Sequence, residues 1–160
     1  MDKPTYVVID MHKDVFHPAR PDRQPIVHAV GKVIDEAMAR GCPVVFVKFH
    51  DNSEVVPSLW NRADGYPARV LVTKYAFSGA RQIKNACLDN QFSLSHFRLC
   101  GVAADVCVRS TAAELCKFYP QSRVEVLTYA CDPPEGGWKR YKKGWAARVR
   151  LVCKPATDAA

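Results

Sequence analysis

The chain lacks a long apolar run. None of its 160 residues belongs to a stretch approaching the roughly 18 uninterrupted apolar residues that cross a bilayer. Met1 is followed by Asp2, Lys3 and Pro4 rather than by a basic segment leading into an apolar one, so no export signal is read there. No membrane partner and a cytoplasmic location are therefore expected. Paired cysteine motifs are missing too. The seven cysteines, at 42, 87, 100, 107, 116, 131 and 153, are odd in number and never occur as C-x-x-C, which argues against a disulfide framework and a zinc ribbon and for reduced thiols. The glycine-rich turn of a dinucleotide site is absent after the first apolar run, where the chain reads Asp10-Met11-His12-Lys13-Asp14. The C-x5-R spacing of a phosphate-binding cysteine loop occurs at no cysteine, and the H-x-E with P-C-x-x-C pattern of zinc deaminases is also missing.

The excess of basic residues is concentrated near the C-terminal end of the sequence. The net charge is +7, and residues 139–154 hold Lys139, Arg140, Lys142, Lys143, Arg148, Arg150 and Lys154 without a single Asp or Glu. Outside that stretch, basic and acidic residues number 16 each. A local basic stretch suits a solvated face, a subunit boundary or an anionic substrate better than it suits nucleic acid, which is not expected as a partner.

What the chain does have is alternation. Thr5 to Asp10 is a short β-branched run of the kind buried on both faces of a parallel sheet. Pro25 opens a helix in which Ile26, Val30, Val33, Ile34, Ala37 and Met38 recur at helical spacing until Gly41. Strands follow at Pro43–Lys48, Arg69–Thr73, His96–Cys100 and Arg123–Leu127, with helices near Ala80–Leu88 and Asp105–Phe118. His50 to Ala68 reads as a long loop broken by Pro57, Asp64-Gly65 and Pro67; Asp132 to Gly137 is turn-rich. A basic, helical stretch and a last strand at Val149–Cys153 complete the pattern. Such alternation predicts one α/β domain over 1–160: a three-layer, Rossmann-like fold with a mostly parallel sheet of five or six strands and helices on both faces. Ligands of such folds bind beyond the carboxyl ends of the strands.

Asp10 closes the first strand, Lys74 the third, and Cys107 lies in the first turn of the helix after the fourth. All are expected at one sheet edge. A thiol reacts as thiolate, and a helix N-terminus with a nearby ammonium is expected to lower the Cys107 pKa. Asp10 is placed to take the thiol proton and Lys74 to orient both, while backbone amides in the turn from Gly101 to Cys107 can hold a developing oxyanion.

The segments that carry these residues resemble the isochorismatase-like cysteine hydrolases, a superfamily that includes nicotinamidases and N-carbamoyl amidohydrolases. The resembling segments are Val7-Val8-Ile9-Asp10-Met11 with Asp14 and Phe16, Lys74 before Phe77-Ser78-Gly79, and Gly101 to Val108 with Thr111-Ala112. The resemblance implies a catalytic triad of Asp10, Lys74 and Cys107, an oxyanion hole from the amides of Ala103 and Cys107, and a cis peptide at Val102–Ala103. Where nicotinamidases of this family place an Asp and several His as a metal site, this chain offers His50 and Asp51, too few for a closed site. No metal and no cofactor are expected. His12 stands where the family often has Gln, and Ala104 where it often has Thr.

The function implied is hydrolysis of a small amide, carbamoyl or ureido substrate through a thioester acyl-enzyme. The alternative is a catalytically silent relative that binds a partner through its basic C-terminal stretch. Phe16, Trp60, Tyr75 and Phe77 are the candidate pocket aromatics, and Arg20 and Arg109 the candidate anion contacts. A homo-oligomer acting on a small molecule is expected, since a domain of this size can complete its pocket with a neighbour's residues.

Overall fold

In the computed structural model, residues 3–16, 21–51, 54–133, 137–138 and 145–154 are described. Six strands form one sheet: β1 Thr5–Ile9, β2 Val44–Phe49, β3 Arg69–Lys74, β4 His96–Gly101, β5 Arg123–Cys131 and β6 Val149–Val152. Their order is β3-β2-β1-β4-β5-β6, and every neighbouring pair is parallel. The β-branched run of β1 explains its central place, because all five of its residues are buried and a strand covered on both faces needs apolar side chains on both. The edge strand β3 is only half-buried along most of its length.

Helix α1, Gln24–Ala39, and the short α2, Pro57–Trp60, cover one face; α3, Ala80–Asp89, and α4, Arg109–Phe118, cover the other. The stripe of Val27, Val30, Val33, Ile34 and Ala37 seats α1 on the sheet. Its end is a Schellman turn: Gly41 takes φ +61°, its N–H donates to the Met38 carbonyl at 2.9 Å, and the Cys42 N–H donates to Ala37 at 2.8 Å.

At the centre of the sheet, Ile9 of β1 is paired with Gly101 of β4. Gly101 has φ +115°, and a Cβ there would lie 2.0 Å from the Ile9 carbonyl oxygen, so only glycine lets the chain leave β4 at this height. Away from this edge, Arg98 of β4 is buried among anionic and hydroxyl partners. Its Nη1 donates to Tyr6 Oη at 2.7 Å and to Glu36 at 2.6 Å, and its Nε lies 3.3 Å from Glu125. Glu125 also meets His96 at 3.0 Å and pairs with Arg123.

The sequence reading needs three adjustments. The segment read as loop from His50 to Ala68 contains α2 and a 3-10 turn at Asn61–Ala63, which bury Leu59 and Ala63. Strand β5 runs on to Cys131, four residues past the expected Leu127, because Cys131 continues the ladder opposite Gly101 beyond a register shift. The helix expected from Asp105 begins instead as a wider π-type turn over Ala104–Val108 and becomes α-helical at Arg109. The basic stretch at Lys139, Arg140, Lys142 and Lys143 lies outside the described residues, as does Arg20.

Candidate active site

Strand order reverses between β1 and β4, since β2 follows on one side of β1 and β5 on the other side of β4. The crevice beyond their carboxyl ends is where α/β sheets bind ligands. Asp10 enters it directly from β1. Its N–H is held by the Val47 carbonyl of β2 at 2.9 Å, and it takes φ +52°, a left-handed conformation that turns the chain sharply out of the strand. Lys74 ends β3, two strands away, and its ammonium passes 5.0 Å from the Phe49 ring centre to reach Asp10 Oδ2 at 2.8 Å. The same ammonium donates to the Phe77 carbonyl at 2.9 Å. Lys74 is wholly buried, and Asp10 nearly so. A buried charge of either sign is tolerated only when paired, and here the two are paired with each other. Asp10 Oδ1 is also buried, and among the described residues it accepts no hydrogen bond.

Cys107 comes to this pair from the turn after β4, half-buried, near enough for both Asp10 and Lys74 to act on its thiol. The expected lowering of its pKa is not found. Burial pushes the Cys107 thiol up and the Asp10 carboxylate adds to this, against a downward pull from Lys74. The resting group is therefore a thiol that already faces its base.

The π-type turn sets the amides around the sulfur. The Ala103 carbonyl accepts from the amides on either side of Cys107, those of Val106 at 3.2 Å and Val108 at 3.1 Å. The Val102–Ala103 peptide is cis. The Val102 N–H donates to Ile9 at 3.0 Å, and the Ala104 N–H donates to Asp132 Oδ1 at 3.2 Å. Asp132 Oδ2 in turn lies 3.4 Å from Arg23 Nη1 at the start of α1. The turn is thus fastened to β1, β5 and α1, which leaves the Ala103 and Cys107 amides as the candidate oxyanion donors.

Two further residues support the site. Thr111 of α4 is fully buried, and its Oγ1 accepts the Gly79 N–H at 3.0 Å, while the Ser78 hydroxyl donates to the Glu114 carboxylate. These bonds fasten the segment after Lys74 to the helix after Cys107. His12, 1% exposed, accepts the Phe49 N–H on Nε2 at 3.3 Å, and the same nitrogen is 3.6 Å from Asp10 Oδ1. The supporting roles of Asp132, Thr111 and His12 were not read from the sequence, although Thr111 stood in a segment that carries the resemblance and residue 12 had an unusual identity.

The candidate aromatics divide. Tyr75 and Phe77, 69% and 65% exposed, flank the buried Lys74, and the Tyr75 ring centre is 5.0 Å from that of His50. Phe49, unremarked in the sequence, completes this group at the end of β2. Trp60 is elsewhere: its ring packs edge-on against Phe46 at 5.3 Å beneath the Arg69 guanidinium at 3.9 Å. It lines a cavity of about 360 Å³ with Val55, Asn61 and Leu71. Phe16 is buried and lines a second cavity, of about 670 Å³, with Lys13, Gln24 and Val56. Neither cavity includes Asp10, Lys74 or Cys107. Arg109 directly follows the π-type turn. His50 and Asp51 bond to each other at 2.8 Å, and among the described residues no group of three or more metal-ligating side chains forms. A zinc site needs at least three protein ligands, so this pair does not fit one, and no step here is routed through a metal.

A six-stranded parallel sheet whose switch point carries a thiol, a carboxylate and an ammonium is the layout of an α/β enzyme. The isochorismatase domain profile matches residues 4–117, and the chain belongs to the isochorismatase family. Comparison with curated protein sequences finds no match. Among solved structures, the chain is similar to N-carbamoylsarcosine amidase from Thermoplasma acidophilum, with 26% identity and TM-score 0.70 over 97% of this chain and 99% of that one. It shares the fold of the pyrazinamidase of Pyrococcus horikoshii, solved in complex with zinc, at 21% identity and TM-score 0.72 over 94% and 98% of the two chains. It also shares that of the nicotinamidase from Staphylococcus aureus, at 15% identity and TM-score 0.68 over 82% and 83%.

Proposed function

We propose that this member of the family is an amidohydrolase that cleaves a non-peptide C–N bond in a small amide, carbamoyl or ureido substrate, with Cys107 as nucleophile. The observation that carries the reading is the meeting of the Cys107 thiol with the buried Asp10–Lys74 pair, whose Nζ to Oδ2 distance is 2.8 Å. Asp10 takes the proton from Sγ as sulfur attacks the carbonyl carbon, and the carbonyl electron pair moves to oxygen, held by the Ala103 and Cys107 amides. Collapse of this adduct expels the amine or ammonia, which leaves with the proton from Asp10, and a thioester remains. Water then gives a proton to Asp10 and adds to the thioester carbonyl. The thiolate is expelled and takes that proton back. Lys74, paired with Asp10 Oδ2 at 2.8 Å, holds the carboxylate in place through these transfers.

The exposed rings of Tyr75 and Phe77 beside Lys74 favour a substrate with a flat or apolar portion. The test is a hydrolysis screen over small primary amides, carbamoyl compounds and ureides, with wild type beside Cys107→Ala. Turnover by the wild type alone, with a thioester mass adduct on Cys107, is the expected result; equal turnover by both proteins overturns the reading. The protein is further proposed to act as a homo-oligomer in the cytoplasm without nucleic acid. A monomer by light scattering that binds RNA or DNA with a steep salt dependence would reverse that.

A further inference from the structure

Arg23 has no part in the mechanism, yet it stands at one end of a line of contacts that reaches the turn presenting Cys107. It closes the 3-10 turn Pro21–Arg23 just before α1. Its Nη1 lies 3.4 Å from Asp132 Oδ2, and Asp132 Oδ1 accepts the Ala104 N–H at 3.2 Å. One carboxylate therefore joins the start of α1 to the turn after β4. The other fastenings of that turn are of a different kind. The Val102 N–H donates to Ile9 at 3.0 Å, and the Val106 and Val108 N–H groups donate to Ala103, so these bonds join main-chain groups that do not ionise. The Ala104 bond differs from them in depending on the charge of a side chain.

We propose that Arg23 is a positioning residue for the reaction: by holding the Asp132 carboxylate against the Ala104 N–H, it keeps the Ala103 and Cys107 amides in place for the developing oxyanion. The proposal rests on Cys107 being the nucleophile and on these two amides being the oxyanion donors. The carboxylate needs Arg23 because its surroundings otherwise favour a proton. Burial pushes the Asp132 carboxyl up, the Ala104 N–H and Arg23 pull against this, and Asp105 in the turn adds a further push upward. Asp22 competes for the same guanidinium, with its Oδ2 at 3.8 Å from Arg23 Nε. Without Arg23, Asp132 takes its proton at a higher pH. The neutral carboxyl is then the weaker acceptor for Ala104, since a charge-assisted hydrogen bond is about twice as strong as a neutral one.

A packing role for Arg23 would not give the signature that this contact predicts. The readout is the Ala104 amide proton resonance in ¹H–¹⁵N NMR of the intact protein, which moves upfield when the carboxylate bonded to it takes a proton. In the wild type it should titrate with Asp132, and in Arg23→Gln its midpoint should move to higher pH. Arg23→Lys keeps the positive charge and should bring the midpoint back toward the wild-type position. In Asp132→Asn the resonance should stay flat over the same range, with or without Arg23→Gln.

Steady-state kinetics on a substrate from the screen then tie the contact to turnover. Between the two midpoints, kcat of Arg23→Gln should lie about threefold below that of the wild type with KM nearly unchanged, since about half of one charge-assisted bond is lost there. An Ala104 midpoint that is the same in Arg23→Gln as in the wild type overturns the proposal, as does one moved equally by Arg23→Gln and Arg23→Lys. So does a moved midpoint with kcat unchanged between the two. The NMR readout needs neither a substrate nor a reactive thiol, so a failed Arg23 contact and a failed hydrolase reading are told apart; a screen without any turnover removes the reading on which the proposal rests, and the proposal falls with it.

Discussion

Asp132 Oδ1 accepts the Ala104 N–H at 3.2 Å, so a residue just past the end of β5 fixes the turn that presents the Cys107 sulfur. Burial pushes the Asp132 carboxyl up, and the Ala104 bond and Arg23 oppose that rise. Asp132→Ala should lower kcat about tenfold with KM nearly unchanged, because a hydrogen bond of about 1–1.5 kcal/mol is lost from the frame of the proposed oxyanion hole rather than from the proposed substrate pocket. Asp132→Asn keeps an acceptor and should retain most of the rate. Steady-state kinetics of the two variants, on whichever substrate the screen yields, checks this.

Lys74 and Asp10 act on the Cys107 thiol in opposite directions, and labelling rates should report both. Asp10→Asn should speed iodoacetamide labelling of Cys107 near neutral pH, and Lys74→Met should slow it. Lys74→Met also leaves the Asp10 carboxylate buried without its partner, a loss of about 3–5 kcal/mol in stability. Cys153, which is exposed, should label ahead of Cys107 in the wild type; Cys87 and Cys100, with thiols pushed up to about 11 and about 12, and Cys131, whose buried thiol is pushed up well beyond the ordinary range, should label last. Time-resolved peptide mapping gives the order, and a faster Cys107 than Cys153 would contradict it.

Gly101→Ala should disrupt the centre of the sheet. A methyl group 2.0 Å from the Ile9 carbonyl oxygen cannot be relieved by turning a side chain, since both partners are backbone. A drop of more than about 3 kcal/mol in urea unfolding is expected, at the severe end of single substitutions. Gly65→Ala is the control for a positive φ without a clash, as nothing lies within 4 Å of its added Cβ.

Acid should weaken the fold through Glu125. Burial alone would raise its carboxyl, but bonds from His96 and Arg123 hold it down at about 2 against an ordinary 4.5. A depressed carboxylate stabilises the folded state above the unfolded pKa and loses that contribution as pH falls through the folded one. The loss should therefore fall between pH 4.5 and about 2. Glu125→Gln should be less stable at pH 7 and should show a flatter pH profile across that window, read by thermal melts.

Much of this site was legible because strand ends are legible. Asp10 and Lys74 follow β-branched runs, and in a parallel sheet such ends share one edge. What escaped had physical reasons. Helix α2 spans only Pro57–Trp60, too short for a period to appear, and Trp60, expected near the site, is drawn aside by Phe46 and Arg69. Asp132 sat in a segment whose prolines and glycines announced a turn and hid a ligand of the backbone. The direction of the Cys107 shift was misread because the helix-terminus argument assumes a solvated thiol, and burial outweighs it here.

The π-type turn at Ala104–Val108 exceeds the α-helical pattern by one residue, and the Cys107 amide falls in the widened step. Removing a single residue between Ala103 and Cys107 would let an ordinary helix form and swing the sulfur by about 100° around its axis. With Cys107 as the proposed nucleophile, the loss of one codon would then be enough to remove the proposed chemistry, and silent relatives should differ from active ones in the spacing of this turn as readily as in the identity of the cysteine.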